Sequence, residues 1–211
     1  MIFFVFLINI KMNTRENISS EALRAIQSSG GVVFCNILKK EISLIGKITL
    51  PVADQFLSAL RSFEDKKTKL IVIRINVYGG ILGAIDNPVG RVYKAIDEIP
   101  FETEGFVSRF AYSGGALVLQ ACDYRTCHPN GIIMIHWPEP LDSNGKLING
   151  NISQELLARQ REAKKYWFEI FAERSGQSVR KIQFLSDRKI GATEALKYHL
   201  IDEINKKPLR P

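Results

Sequence analysis

A serine in a glycine-rich turn is the residue of this sequence best placed to do chemistry. Ser113 follows a β-rich run and precedes Gly114 and Gly115, after which an apolar helical run begins. A strand-to-helix turn can expose a serine hydroxyl beside the free N–H groups of the helix N-terminus. Those groups carry partial positive charge and can stabilise a developing oxyanion. Because Ser-Gly-Gly alone is most often an ordinary turn, the interpretation depends on the residues that accompany it.

A serine nucleophile needs a base to take its proton, and the chain contains three histidines. His128 lies in a turn-like stretch, and His199 lies in the last helix-to-strand connection. His136 instead ends the apolar run that begins at Gly131, at the carboxyl end of a predicted parallel strand. Active sites of α/β proteins gather at that edge, so we favour His136 as the base over a histidine that merely ends a strand.

A carboxylate on the other imidazole nitrogen would fix the tautomer and stabilise the imidazolium. Position along the chain does not show which carboxylate meets the histidine. The candidates are Asp123, Asp142, Asp187 and Asp202.

The glycine pair after the apolar run Leu70–Ile75 has two interpretations. Gly79 and Gly80 could form a tight bend that requires positive φ. They could also present a backbone N–H that approaches a substrate carbonyl closely, because no Cβ obstructs it.

The amino-acid composition limits the classes of protein to which the chain can belong. The 211 residues are 45% hydrophobic and 24% charged, which predicts a globular domain with a proper core. The formal net charge is +7, but the basic residues are scattered, so we do not expect nucleic-acid binding. Three cysteines without framework spacing favour a reducing compartment, and we expect a cytoplasmic protein. Cys122, Cys127 and His128 fit no common zinc spacing, so no metal is expected.

Predicted strands and helices alternate along the chain, which indicates an α/β fold with a largely parallel sheet. The strands are predicted at Val32–Ile37, Glu41–Ile45, Leu70–Ile75, Glu104–Arg109 and Gly131–Pro138. Helical spacing of apolar residues predicts helices at Pro51–Phe63, Asn87–Ile99, Gly114–Leu119, Asn151–Arg174 and Thr193–Tyr198.

The first 31 residues are interpreted as an N-terminal extension to a domain at 32–211. A short helix is predicted at Ser20–Gln27, before the Gly30-Gly31 break. The apolar stretch Met1–Ile10 is about half as long as a membrane-spanning helix requires, so no membrane association is expected.

From about Glu41 to Ile204 the chain resembles the proteolytic subunit of the Clp protease. Several blocks in the family's order are specific, whereas each alone is not. The blocks are Ser43–Ile48, Ile75–Gly80 (the family's Ile-Asn-Ser-Pro-Gly-Gly), Ala111–Ala116 (Ala-Ala-Ser-Met-Gly-Ala), Pro129–Pro138 (Pro-Asn…Met-Ile-His-Gln-Pro), Ser175–Gln177, Asp187–Arg188 (Asp-Arg) and Ala192–Asp202.

The resemblance implies a ClpP/crotonase-like α/β fold with stacked, parallel-rich sheets, flanking helices and a protruding handle helix at about 139–174. It implies a serine endopeptidase in which Ser113 is the nucleophile, His136 the base and Asp187 the acid that orients it. The backbone N–H groups of Gly80 and Gly114 would then bind the oxyanion.

The same resemblance implies partners. Copies of the chain would stack as rings, heptameric in the family, around a chamber that admits unfolded or short polypeptides. No cofactor or metal is implied. No ATP site is visible, so energy dependence would come from an ATP-driven unfoldase.

The chain departs from the family pattern, and two other functions stay open. Val77-Tyr78 replaces Ser-Pro, Gly114 replaces a methionine, and His199 stands where the family prefers glycine. One alternative is a catalytically silent ring subunit with an assembly role, whose triad residues are misaligned. The other is an acyl-CoA enzyme of the crotonase type, in which the glycine turns would hold a thioester oxygen. That last function leaves the serine, histidine and aspartate without a joint purpose.

Overall fold

Strands and helices alternate in the computed structural model, which describes residues 30–64, 68–80, 87–136 and 153–209. The strands are β1 Gly31–Asn36, β2 Glu41–Ile48, β3 Leu70–Gly80, β4 Glu102–Tyr112, β5 Tyr124–Cys127, β6 Ile132–Met134, β7 Ile190–Gly191 and β8 Glu203–Ile204. The helices are α1 Leu50–Arg61, α2 Pro88–Asp97, α3 Gly114–Ala121, α4 Gln154–Ser175, α5 Val179–Leu185 and α6 Ala192–Lys197.

The strands form one mixed sheet in the order β1-β2-β3-β4-β5-β8, with β6 joined to β4 and β7 joined to β6. The pairs β2–β3, β3–β4, β4–β5, β4–β6 and β5–β8 are parallel, whereas β1–β2 and β6–β7 are antiparallel. The predicted α/β class with a largely parallel sheet is therefore confirmed.

One face of β3 forms the centre of the core. Ile71, Ile73, Ile75 and Val77 alternate along the strand and are fully buried, as the two-residue period of a strand requires. Helix α1 packs on β1 and β2, α3 packs on β3 and β4, and α2 lies against both helices. Burying each such side chain stabilises the fold by about 1.5–3 kcal/mol.

Strand β4 changes partners along its length, and this change builds the edge that carries the candidate site. Its first half, Glu104–Val107, pairs with β5, and its last residues, Phe110–Tyr112, pair with β6. Between the two halves the register with β3 shifts, so that Val107 opposes Ile75 but Ala111 opposes Val77. This bulge lets β6 lie beside the end of β4.

Helix α4 is buried only toward its C-terminal end. Trp167, Phe168, Ile170 and Phe171 are at most 7% exposed, whereas the described side chains from Gln154 to Tyr166 are half-buried or exposed. The helix therefore extends away from the core at its N-terminal end. The remaining residues predicted for the handle, 139–152, lie outside the described part of the chain, as do the predicted helix at Ser20–Gln27 and most of the N-terminal extension.

Several elements differ from the prediction in length. Strand β3 runs beyond Ile75 to Gly80 because it continues to pair with β2, and β4 runs beyond Arg109 to Tyr112 because its last residues pair with β6. Strand β6 ends at Met134, two residues before His136. Helix α5 and strand β5 were not predicted. In the part of the chain that the structure describes, no helix combines the length and the hydropathy needed to cross a bilayer.

Candidate functional site

Ser113 occupies a strained turn between β4 and α3. Its backbone has φ 52° and ψ −115°, outside the helical and extended regions that a non-glycine residue normally adopts. The turn is held because its N–H donates to the Met134 carbonyl oxygen at 2.8 Å. Ser113 is 8% exposed. Backbone strain of this kind is concentrated at functional sites.

The glycines beside Ser113 allow the helix to approach β3. A Cβ added to Gly115 would come within 2.7 Å of the Val77 Cβ, so a larger residue would push α3 off the sheet. As first residues of α3, Gly114 and Gly115 have N–H groups that no intrahelical carbonyl accepts. These donors remain available at the turn.

Gly80 and Gly114 lie next to each other. A Cβ built on Gly114 would stand 3.4 Å from the Gly80 nitrogen and 2.7 Å from the Val89 Cγ2. A Cβ on Gly80 would also collide with Val89 Cγ2. Val89 therefore packs against both glycines, and side chains at either position would push the two backbone segments apart. The end of β3 and the start of α3 thus bring together the two glycines whose N–H groups are predicted to form an oxyanion hole.

His136 and Asp187 form a hydrogen-bonded pair, with His136 Nδ1 2.9 Å from Asp187 Oδ1. The side chains are 34% and 47% exposed, respectively. Asp187 adopts φ 60°, and its N–H donates to the Ile135 carbonyl oxygen at 2.6 Å. A carboxylate accepting from Nδ1–H places the imidazole lone pair on Nε2, which is the tautomer a general base needs.

Parallel pairing brings the serine and the histidine to one edge. Tyr112 opposes Met134, so Ser113 and His136 each follow the carboxyl end of neighbouring strands, whose spacing is about 4.8 Å. Within the described residues, the Ser113 hydroxyl makes no hydrogen bond with His136. The edge therefore holds a joined histidine–aspartate pair and a serine on the adjacent strand end.

The other candidate acids have different partners. Arg125, whose side chain is 6% exposed, holds Asp202 by a hydrogen bond of 2.6 Å. Asp123 accepts from both the N–H and the hydroxyl of Thr103 at 2.8 Å. Asp142 lies outside the described residues. Of the four aspartates, Asp187 is the one that the described structure places on His136.

The other two histidines lie elsewhere. His128 Nδ1 accepts from the Asn130 N–H at 3.1 Å. His199 has φ 55° after α6, where its N–H donates to the Leu196 carbonyl at 3.0 Å and the Leu200 N–H donates to the Ala195 carbonyl at 2.9 Å. These bonds form a helix C-terminal motif that favours glycine at the His199 position.

Two features of the site were not found from the sequence. The first is Val89, which packs against Gly80 and Gly114. In the sequence it belongs to the apolar stripe Val89, Val92, Ile96, and nothing in that stripe marks Val89 as part of the site. Lys164 of α4 lies within electrostatic reach of Asp187. Burial lowers the pKa of the Lys164 ammonium, and the negative charge of Asp187 opposes that shift.

The described residues contain no cluster of three or more histidine, cysteine, aspartate or glutamate side chains that could bind a metal ion. Burial raises the pKa of the Cys122 and Cys127 thiols to about 12. A thiolate is the form of cysteine that binds metals, so neither residue is suited to that role.

Known proteins resemble this chain over most of its length. Proteolytic subunit 2 of the ATP-dependent Clp protease from Chlamydia trachomatis is 33% identical over 180 residues, which cover 82% of this chain and 84% of that protein. The corresponding subunit of Chlamydia pneumoniae is 33% identical over 181 residues, with the same coverage. The match thus leaves 16% of each relative's length uncovered.

A solved structure supports the same relationship at the level of the fold. A mutant of ClpP1 from Listeria monocytogenes superposes with a TM-score of 0.64 at 22% sequence identity, covering 80% of this chain and 92% of that one. The family model described as Clp protease matches residues 25–208. The chain belongs to the Clp protease family.

Proposed function

We propose that the protein is a serine endopeptidase that hydrolyses unfolded or short polypeptides. The observation that carries the proposal is the His136–Asp187 hydrogen bond of 2.9 Å, placed on the strand end adjacent to the strained Ser113 turn. Membership of a family of proteases supports it.

In the proposed reaction, Ser113 Oγ attacks the substrate carbonyl carbon while His136 Nε2 takes the hydroxyl proton. The carbonyl π electrons move to its oxygen, and the Gly80 and Gly114 N–H groups stabilise that oxyanion. When the intermediate collapses, the C–N bond breaks and His136 gives its proton to the leaving amine, which leaves an acyl-enzyme. A water molecule then attacks the acyl-enzyme carbonyl while His136 takes its proton. The C–O bond to Ser113 breaks, His136 gives the proton to Ser113 Oγ and the acid product leaves, while Asp187 holds the imidazole throughout.

The proposal includes assembly and a partner. We infer that copies of this chain form stacked rings that enclose the active sites, and that an ATP-driven unfoldase delivers folded substrates. The Chlamydia relatives are subunits of an ATP-dependent Clp protease, which supports this partner class. Helix α4 extends from the core and is suited to contact another ring.

A second candidate function is a catalytically silent ring subunit with an assembly role. The specific observation in its favour is that Ser113 and His136 are not hydrogen-bonded within the described residues. Catalytic hydrogen bonds in enzymes without substrate are often long and tighten only on binding, which is why we favour the peptidase.

Covalent labelling by a fluorophosphonate, followed by intact-mass measurement, distinguishes the two functions. We expect one adduct on the wild-type protein and none on Ser113→Ala. Ser108→Ala is a matched control, because this serine lies on β4, the strand that leads into Ser113, but its hydroxyl donates to the Ile75 carbonyl at 3.3 Å. A folded and assembled wild-type protein that stays unlabelled would refute the peptidase and favour the silent subunit.

A further inference from the structure

Strand β3 contains a bulge two residues before Gly80, and Tyr78 is the extra residue. Gly46 of β2 opposes Val77, but the next residue, Lys47, opposes Gly79. Tyr78 therefore has no counterpart on β2. Bulges bend a strand and redirect the residues that follow, and they are common next to active sites.

The Tyr78 side chain ties this bulge to the start of β1. Its hydroxyl donates to the Gly30 carbonyl oxygen at 3.1 Å, across 48 residues of sequence. The same carbonyl oxygen accepts the Lys47 N–H at 2.7 Å. The Gly30 carbonyl oxygen thus links β2, through Lys47, to β3, through Tyr78, at the position of the bulge. Gly46, at φ 95°, leaves room for this oxygen, since an added Cβ would stand 2.7 Å from it.

The bulge determines the orientation of the last residues of β3. Gly80 is the last residue of β3, and its nitrogen lies beside Gly114 at the start of α3. Val89 limits the position of Gly80 from the helix side. The position of Gly80 is also constrained from the β3 side, by the bulge at Tyr78 and the hydrogen bond from the Tyr78 hydroxyl to Gly30. Tyr78 is 49% exposed, so its ring adds little to the core and its hydroxyl bond is its main link to the fold.

We propose that Tyr78 is a positioning residue, whose hydroxyl fixes the bulge that aims the Gly80 N–H at the oxyanion. The inference rests on the proposed peptidase function. Tyr78 does not touch the reacting atoms and acts through the strand end. Without its hydroxyl bond the Gly80 N–H would sample orientations in which it meets the oxyanion poorly, and this loss would affect the transition state more than substrate binding.

The test compares Tyr78→Phe with Tyr124→Phe. Each substitution removes one hydroxyl hydrogen bond from a partly exposed strand tyrosine, because the Tyr124 hydroxyl donates to Glu203 Oε2 at 2.8 Å. We expect Tyr78→Phe to lower kcat for a peptide substrate about three- to tenfold, less than the loss caused by removing an oxyanion donor outright, with KM unchanged within about twofold. Tyr124→Phe should match the wild type. Equal kcat in all three proteins, a change in KM alone, or the same loss in both variants would overturn the inference.

Hydrogen exchange provides a readout that does not depend on activity. We expect the Gly79 amide, and the Lys47 amide that donates to the same Gly30 carbonyl, to exchange faster in Tyr78→Phe than in the wild type and in Tyr124→Phe. Unchanged exchange would overturn the proposed fixation of the bulge, whatever the activity. A second outcome separates the two proposals. If the amides exchange faster in Tyr78→Phe but the wild type is not labelled by a fluorophosphonate, the peptidase function fails and the positioning role fails with it. The role of the Tyr78 hydroxyl bond in fixing the bulge would still be supported.

Discussion

Replacing Asp187 by asparagine tests the histidine–aspartate pair directly. Asparagine has nearly the same size and tolerates positive φ, so the backbone at φ 60° should be kept while the charge is lost. The variant removes the carboxylate that accepts from His136 Nδ1 at 2.9 Å. The amide can instead donate to Nδ1, which would place the ring proton on Nε2 and leave no lone pair there for the serine proton.

The size of the effect follows from the geometry and the exposure of the pair. Opposite charges about 4 Å apart interact by about 4 kcal/mol at an effective dielectric constant of about 20 and by about 1 kcal/mol in water. The side chains are 34% and 47% exposed, so an intermediate value is appropriate. We take about 2–3 kcal/mol of imidazolium stabilisation, or roughly a 30- to 150-fold lower rate. This is smaller than the factor of about 10⁴ known for a buried triad aspartate.

The assay is the rate of fluorophosphonate labelling at Ser113, with peptide hydrolysis measured in parallel. Asp54→Asn is the control, since Asp54 forms an exposed pair of similar geometry with Arg91 at 2.7 Å and lies on α1. The control should label at the wild-type rate. If Asp187→Asn labels within about threefold of the wild type while folded, Asp187 does not orient or stabilise the base, and the reasoning from the pair is wrong.

Two further predictions concern stability. His199→Gly should raise the free energy of unfolding by about 0.5–1 kcal/mol, because glycine adopts φ 55° at the end of α6 without the strain that His199 has there. Urea unfolding measures the effect, and an unchanged or lower midpoint would contradict the prediction. Burial raises the pKa of the Cys122 and Cys127 thiols from 9.0 to about 12, so the folded state binds their protons more tightly than the unfolded state does. The urea midpoint should therefore fall as the pH rises from about 9 toward 12, and a Cys122→Ala, Cys127→Ala variant should lose less over that range.

The local pattern of the sequence was sufficient for the fold class and for the choice of Ser113 and His136 as candidate site residues. Short apolar runs located β2, β3 and β4, and the small residues around Ser113 indicated its turn. The polar segment Tyr124–Cys127 gave no strand signal, because β5 is stabilised by pairing with β4 and not by an apolar pattern of its own. Helix α5 was missed because it is only seven residues long, although Ser178 caps it by accepting from the Lys181 N–H at 3.2 Å.

The choice of the acid shows where local reasoning ends. Chemistry left four aspartates open, and the family resemblance singled out Asp187. The hydrogen bond between His136 and Asp187 joins residues 51 positions apart and depends on the turn at Asp187, whose N–H bonds to Ile135. Such contacts are set by the packing of the whole core, which no short window of sequence contains.

The sequence by itself thus determined which residues could act and where most strands and helices lie, since apolar patterning is a local property. Only the tertiary structure decided how those residues meet. The bulge in β4 places β6 beside Ser113, and the bulge at Tyr78 sets the end of β3 near Gly114. Both depend on register between strands, which is fixed by the hydrogen bonds and side-chain packing of the assembled sheet.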